Sequence, residues 1–173
     1  MIAPLVLAMS LSAAIGPDEG LARIQAKIER EHPQISHIGG AEFDALPKSD
    51  VIIFDVREAR EYAVSHLPGA VRIDPDATPD ELTALYGEAL KGKTAVFYCS
   101  VGRRSSDLLA KSASALSELG VAASYNLEGG VFRWANDDRR LMQGDKETSH
   151  VHPYNWYWGR LVEDKDDISY RPD

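Results

Sequence analysis

The stretch that decides the fold is KTAVFYCSVGRRSSDLL, residues 93–109. Its first part, KTAVFY, is an apolar run that predicts a buried strand over 93–98. The last part predicts a helix that is capped by Ser105 or Ser106 and that stops at Gly120. A cysteine, a glycine and two arginines therefore fall in the turn between a strand and a helix.

The same alternation of strand and helix continues on both sides of this stretch. VIIFDVR, at 51–57, is a run of β-branched and aromatic residues without polar alternation, and shorter strands are predicted within QISHIGG, AVRID and VAASYN. Between them, Thr78, Pro79 and Glu81 form the signature of a capped helix start. The alternation predicts βαβ units, and therefore an α/β fold with a mainly parallel sheet and helices on both faces.

Composition limits the possible functions. The chain has 173 residues, a formal net charge of -8 and one cysteine, Cys99. A single cysteine excludes an internal disulfide and a cysteine-rich metal site, so any sulfur chemistry at Cys99 must finish on another molecule. The acidic charge argues against a nucleic-acid partner, because neutralising phosphates needs clustered positive charge.

Four segments are predicted along the chain. Residues 1–16 are an apolar run ending in small residues, which we interpret as a signal peptide, although no Lys or Arg precedes the run. A helix then covers 17–34, the folded domain 35–142, and a C-terminal tail 143–173. The apolar run is short for a bilayer span, so we expect a periplasmic or otherwise exported protein without stable membrane insertion. A cytoplasmic location is the alternative.

The tail is first aromatic and then acidic. Its aromatic cluster consists of Tyr154, Trp156, Tyr157 and Trp158. Aromatic side chains bury a large apolar area, so we expect the cluster to fix the tail to the domain. The alternatives are an apolar lip over the functional site or a contact patch for a protein acceptor.

Cys99 is either a buried filler or a nucleophile. It follows a predicted strand at the edge where ligands of parallel sheets gather, and Asp55 lies at the same edge. A tight strand-to-helix turn points backbone N–H groups inward beside the positive end of the helix, and Gly102 lets the chain curl. Such surroundings favour the thiolate, which is the nucleophilic form, so the residues after Cys99 favour the second interpretation.

Three ordered motifs resemble those of the rhodanese sulfurtransferases. CSVGRRS, residues 99–105, is similar to the family's active-site pattern Cys-x-x-Gly-x-Arg-Ser. FDVREAREYAVSHLPGAVRID, at 54–74, resembles the upstream motif, and NLEGGVFRWAND, at 126–137, resembles the downstream motif. The resemblance covers about residues 35–141 and implies a rhodanese-like parallel sheet of about five strands flanked by helices.

The resemblance implies an enzyme similar to thiosulfate sulfurtransferase. Cys99 would take a sulfane sulfur from a small donor such as thiosulfate, become a persulfide and pass the sulfur to cyanide, a thiol or a protein thiol. No metal and no organic cofactor is implied. The expected substrate-binding residues directly follow the nucleophile: Ser100, Val101, Gly102, Arg103, Arg104 and Ser105.

Other residues are expected to support the site. Asp55 and Arg57 are interpreted as structural ion-pair residues, with an arginine of the loop as another partner for Asp55. The family analogy makes His66 a loop-stabilising residue rather than a general base. Arg104 matches the loop arginine of the family. Arg103 either meets a sulfonate-like donor at the rim or is a solvated surface charge.

Two further functions stay open. One is a catalytically silent rhodanese-like module that binds a partner or senses redox state. The other is a cysteine phosphatase or arsenate reductase, because some of those proteins share this fold. They resemble this arrangement but place one residue more between cysteine and arginine, and many have a histidine where Tyr98 stands. The shorter loop favours one sulfur atom over a tetrahedral oxyanion.

Overall fold

The computed structural model describes residues 15–173 and contains a parallel central sheet. Its strands are β1 (Ser36–Ile38), β2 (Val51–Asp55), β3 (Val71–Arg72), β4 (Thr94–Tyr98) and β5 (Ala123–Leu127). The five strands are parallel and have the order β1–β5–β4–β2–β3. The predicted α/β class and sheet are confirmed. Because β4 is the central strand, Cys99 emerges at the middle of the carboxyl edge.

Within residues 15–173, α-helices cover both faces of this sheet. They are α1 (Pro17–Glu31), α2 (Gly40–Ala45), α3 (Ala59–Val64), α4 (Pro79–Leu90), α5 (Arg103–Glu118) and α6 (Gly130–Asn136). The start of α4 is as predicted, because the Thr78 side chain accepts a hydrogen bond from the Glu81 N–H at 3.2 Å. The Glu81 carboxylate accepts one in return from the Thr78 N–H at 2.8 Å.

The side chains of β4 alternate between two hydrophobic cores. Val96 and Tyr98 belong to one core, which takes Leu21 from α1 and further side chains from α2 and α6. Ala95 and Phe97 belong to the other, which is built with side chains of α4 and α5. Packing on both faces explains why the β4 sequence is apolar without alternation.

Two local features differ from the predicted elements. β2 ends at Asp55, which is the last residue in register with β4, and the Arg57 side chain then pairs with Asp55. An antiparallel hairpin, β6 (Leu141–Gln143) and β7 (Lys146–Thr148), had no predicted counterpart, since both strands are short. The hairpin is joined to the domain by two backbone hydrogen bonds of 2.8 Å between His66 and Met142.

The predicted signal peptide falls almost entirely on residues 1–14, which lie outside the described residues. Export and periplasmic location therefore stay predictions. Over residues 15–173, no helix has both the length and the apolar character needed to cross a membrane.

Candidate active site

Cys99 lines a small pocket at the carboxyl edge of the sheet. The residue is 1% exposed, and the pocket has a volume of about 160 Å³. Its lining comes from the turn after β4, the start of α5 and the C-terminal tail: Cys99, Ser100, Val101, Arg103, Arg104, Tyr154 and Trp158. Over the part of the chain that the structure describes, no cluster of three or more His, Cys, Asp or Glu side chains is arranged to hold a metal ion.

The turn formed by residues 99–105, called the Cys99 loop below, leaves its N–H groups free. α5 begins at Arg103, and its N-cap residue Gly102 has a left-handed φ of 90°. Within residues 15–173, the N–H groups of 101–105 find no hydrogen-bond acceptor, whereas the Ser106 N–H donates to the Gly102 carbonyl at 3.1 Å. Free N–H groups at a helix N-terminus attract negative charge, and here they lie beside the thiol.

The predicted serine cap of this helix is wrong. The left-handed Gly102 starts the helix earlier, so Ser105 and Ser106 lie inside its first turn. The Ser105 hydroxyl donates to Oδ1 of Asn126 at 2.7 Å, and the Ser106 hydroxyl donates to the Gly102 carbonyl at 2.7 Å. Both serines are buried, and the first ties the loop to the neighbouring strand β5.

The first turn of α6 fixes the carbonyl groups of the Cys99 loop. The Val131 N–H donates to the Cys99 carbonyl at 2.9 Å, and the Phe132 N–H donates to the Ser100 carbonyl at 3.1 Å. Gly130, with a φ of 56°, allows this contact, because a Cβ at that position would lie 2.3 Å from the Cys99 carbonyl oxygen. The loop is therefore held by a close backbone approach that a larger residue would disturb.

Gly130→Ala is expected to lower the free energy of unfolding by about 2–4 kcal/mol, because strain at positive φ adds to the clash. Gly144→Ala is the matched control, since Gly144 has a φ of 58° but nothing within 4 Å of an added Cβ. The free energy of unfolding of the control should fall by only about 1 kcal/mol. Urea unfolding measures both, and equal losses would contradict a close approach at the Cys99 loop.

Glu61 holds the arginine of the Cys99 loop, and no sequence prediction had singled it out. Nη1 and Nη2 of Arg104 donate to the two carboxylate oxygens of Glu61, each at 2.8 Å. The Ser100 hydroxyl donates to the same carboxylate at 2.9 Å. Glu61 is fully buried on α3, so this bidentate pair fixes both ends of the loop to the domain.

Charge is stabilised on both partners of this pair. Burial raises the pKa of Glu61, but the guanidinium groups of Arg104 and Arg57 lower it more. The pKa of Glu61 therefore lies below its ordinary value. Burial lowers the pKa of Arg104, but Glu61 and the charge of a Cys99 thiolate raise it more. The pKa of Arg104 therefore lies above its ordinary value. The Arg104 guanidinium is therefore charged, and it lines the same pocket as Cys99.

Asp55 and Arg57 form a second buried ion pair. Nε and Nη2 of Arg57 donate to the two oxygens of Asp55 at 2.8 and 2.6 Å. The Tyr98 hydroxyl donates to Asp55 at 2.5 Å. The alternative pairing of Asp55 with a loop arginine is wrong, because Arg104 is paired with Glu61. Burial and Asp55 raise the pKa of Tyr98 well above its ordinary value, so this hydroxyl stays protonated.

Arg103 forms an ion pair at the surface, and His66 packs against a tyrosine ring. The Arg103 guanidinium is 3.3 Å from the Glu31 carboxylate in a surface ion pair at the rim of the pocket. The His66 ring stacks on the Tyr62 ring at 4.1 Å, and its Nδ1 lies 3.2 Å from the Tyr62 carbonyl oxygen. These contacts stabilise the segment around His66, which is not part of the pocket lining.

The tail contributes two aromatic side chains to the pocket, Tyr154 and Trp158. The guanidinium carbon of Arg104 lies 5.0 Å from the Tyr154 ring centroid. Trp158 packs against the hydrophobic core and helps to fix the tail as predicted, whereas Trp156 and Tyr157 are 75% and 51% exposed and do not. The other side chains that fix the tail are buried residues on either side of the aromatic segment: Val151, His152, Pro153 and Val162.

The similarity to known proteins is concentrated in the domain that carries this site. Residues 34–137 match the family model described as the rhodanese-like domain. A tRNA sulfurtransferase of Pyrobaculum aerophilum is 41% identical over 86 residues, which cover 50% of this chain and 16% of that protein. A tRNA uridine(34) hydroxylase of Cytophaga hutchinsonii is 32% identical over 102 residues, covering 57% of this chain and 31% of that protein.

A structural relative supports the same fold. The crystal structure of a thiosulfate sulfurtransferase from Pseudomonas aeruginosa superposes with a TM-score of 0.52 and 16% identity, covering 82% of this chain and 26% of that one. At this identity the likeness concerns the fold alone. The chain spans less than a third of each of the two sequence relatives named above. Because the family match includes both the Cys99 loop and the helix that carries Glu61, the chain belongs to the rhodanese-like domain family.

Proposed function

We propose that this protein is a sulfurtransferase in which Cys99 carries a sulfane sulfur from a small donor to a thiophilic acceptor. One observation carries the proposal: a buried thiol lies beside a helix N-terminus whose N–H groups have no acceptor within residues 15–173. A persulfide places negative charge on its outer sulfur, and preorganised N–H groups stabilise such charge. Membership of the rhodanese-like domain family supports the same chemistry.

The proposed reaction has two displacement steps. The Cys99 thiolate attacks the outer sulfur of thiosulfate, the S–S bond of the donor breaks, and sulfite leaves with the electron pair of that bond. Cyanide or a thiolate then attacks the outer sulfur of the Cys99 persulfide, and the Cys99 thiolate leaves. The products are thiocyanate or a new persulfide, and the protein returns to its starting state.

The surrounding residues position the sulfur and stabilise its charge. The N–H groups of the Cys99 loop and the Arg104 guanidinium face the negative charge, while Glu61 and Ser100 hold Arg104 in place. Asp55 joins the end of β2 to the end of β4 by accepting a hydrogen bond from the Tyr98 hydroxyl, and Arg57 neutralises its charge. Neither half-reaction needs a proton donor, which agrees with the structural contacts of His66.

Cyanide, small thiols and protein thiols are the proposed acceptors. Both sequence relatives have tRNA in their names. The net charge of -8 alone therefore does not exclude a nucleic-acid partner, and that exclusion stays a prediction. We favour non-nucleic-acid acceptors because both arginines of the Cys99 loop are already paired with carboxylates. Phosphate binding relies on available positive charge.

Intact-mass measurement after incubation with thiosulfate tests the proposal. The protein should gain one sulfur atom, and cyanide should remove it with release of one equivalent of thiocyanate. A protein that gains no sulfur from thiosulfate or from a low-molecular-weight persulfide would instead be the catalytically silent module.

Hydrolysis of aryl phosphates is expected to stay at the uncatalysed background. Four residues separate Cys99 from Arg104, one fewer than in the cysteine phosphatases that the motif resembles. The nearby carboxylates of Asp55 and Glu61 are buried in ion pairs, so neither is available as a proton donor to a leaving group. Release of p-nitrophenol from its phosphate ester measures this activity. Phosphatase activity that disappears in Cys99→Ser would make the protein a phosphatase instead.

A further inference from the structure

Part of the Cys99 pocket is built by a segment outside the family match. The match ends at residue 137, whereas Tyr154 and Trp158 both line the pocket. These two residues, called the aromatic wall below, therefore belong to this chain's own C-terminal tail. These two residues can therefore give the pocket a preference among sulfur donors that the Cys99 loop alone does not provide.

The tail is fixed before the aromatic wall. Val151 and His152 are buried, and the Val151 N–H donates to the Asp167 carbonyl at 2.8 Å while the Ser169 N–H donates to the Val151 carbonyl at 3.1 Å. The Tyr154 N–H donates to Nδ1 of His152 at 3.0 Å. Tyr154 itself has a φ of 63°, a conformation that non-glycine residues rarely adopt. Strain of this kind persists where the surroundings hold it, often at a ligand site.

The tail is also fixed at the other end of the aromatic wall. The Asn155 side chain accepts hydrogen bonds from the N–H groups of Tyr157 and Trp158 at 3.0 and 3.1 Å. The Asn136 side chain of α6 then donates to the Leu161 carbonyl at 2.9 Å. A turn held at both ends presents Trp158 to the pocket as part of a preformed surface, so little ordering is needed when a substrate binds.

The charged side chains around the pocket add little attraction for a small inorganic dianion. Arg104 is paired along its edge with Glu61 and faces the Tyr154 ring, and Arg103 is paired with Glu31. Each positive charge thus has a carboxylate partner, whereas the aromatic wall offers apolar surface. A dianion such as thiosulfate gains little from paired charges, but an apolar substituent gains from aromatic contact.

We propose that Tyr154 and Trp158 form a subsite for an apolar, preferably aromatic, group attached to the inner sulfur of the donor, which leaves when Cys99 attacks the outer sulfur. The preferred donors are therefore organic sulfane compounds, such as persulfides or thiosulfonates with an apolar substituent, rather than thiosulfate. This inference rests on the proposed sulfur transfer and names its substrate class. With a thiosulfonate, the Cys99 thiolate attacks the outer sulfur, the S–S bond breaks, and the organic sulfinate leaves with the electron pair.

Benzenethiosulfonate and methanethiosulfonate are the matched probes, because they carry the same charge and break the same bond. We expect kcat/KM for persulfide formation, normalised to the reaction of each donor with free cysteine, to favour the benzene compound. Tyr154→Ala and Trp158→Ala should each reduce that preference by about fivefold to tenfold, the range of one aromatic contact. Tyr154→Phe should keep it, as should Trp156→Ala, whose side chain is 75% exposed and outside the lining.

The outcomes separate the subsite from the sulfur chemistry. A preference equal to that of free cysteine, or one unchanged in Tyr154→Ala with a native unfolding curve, would overturn the subsite. Calorimetric binding of benzenesulfinate to Cys99→Ser, weakened by the added Tyr154→Ala change, supports the subsite without any turnover. If that binding occurs but no donor places sulfur on the wild-type protein, the subsite stands and the proposed function fails. If a donor places sulfur on the wild-type protein but benzenesulfinate does not bind to Cys99→Ser, the proposed function stands and the subsite fails.

Discussion

Cys99→Ser is expected to reduce sulfur transfer from thiosulfate to cyanide by at least about four orders of magnitude, because the hydroxyl is a poor nucleophile and cannot carry a sulfane sulfur. Cys99 is the one cysteine of the chain, so no second thiol is available to replace it. The intact mass of the variant should be unchanged after incubation with thiosulfate. The exchange of one atom in a buried site should leave the fold intact, which an unfolding curve checks.

A relocated thiol is the sharpest control for this prediction. Ser114 is exposed on α5, and its hydroxyl donates a hydrogen bond to Glu118 of the same helix at 3.1 Å. The double variant Cys99→Ser/Ser114→Cys therefore contains one thiol without the Cys99 loop around it. It should show no recovery of sulfur transfer. Recovery to the wild-type rate would mean that any accessible thiol suffices and that the loop has no catalytic role.

The sheet was predictable because its signals are local and strong. The apolar runs that became β2 and β4 lack polar alternation, and a sheet covered by helices on both faces requires that pattern. The capping residues of α4 likewise determine a local hydrogen-bond pattern that does not depend on the rest of the molecule. The start of α5 was missed because a left-handed glycine, rather than a serine side chain, begins it.

Glu61 and the aromatic wall could not be predicted from local pattern. A glutamate in the first turn of a short helix is usually solvated, and its burial here is favourable because the folded chain brings Arg104 and the Ser100 hydroxyl to its carboxylate. Glu61 lies within the stretch 54–74 that resembles the upstream motif of the family, and this resemblance was a signal in the sequence that could have identified it. In the aromatic cluster, the turn at Asn155 directs Trp158 toward the pocket and leaves Trp156 outside.

Glu61→Ala should have the largest effect on both stability and activity among changes outside the nucleophile. The Arg104 side chain is 27% exposed, so removal of its partner leaves a partly buried charge unpaired. Removing one partner of such a pair typically lowers the free energy of unfolding by about 3–5 kcal/mol. The Cys99 loop also loses the contact that positions Arg104 and Ser100, and misplacement of this kind reduces kcat/KM by about 100-fold.

Glu61→Gln separates position from charge. Glutamine keeps the shape and one acceptor, so it should retain more stability than Ala while sulfur transfer still falls. Urea unfolding and thiosulfate–cyanide kinetics measure the two effects. Glu58→Gln is the control, because Glu58 lies on the same segment and its carboxylate forms an ion pair with the exposed Arg60. Glu58→Gln should change the free energy of unfolding by at most about 1 kcal/mol. A Glu61→Ala protein with wild-type activity would show that Arg104 needs no carboxylate partner.

The pKa of Glu61 gives this ion pair a defined pH signature. Because the folded-state pKa lies below the ordinary value of 4.5, the unfolded chain binds the proton more readily than the native protein does. The stability that Glu61 contributes is therefore fully present above that value and is lost as the pH falls through the folded-state pKa. Wild-type unfolding free energies should fall more steeply below about pH 4.5 than those of Glu61→Gln, which has no proton to bind there. Parallel curves for the two proteins would contradict a charged, buried Glu61 beside Arg104.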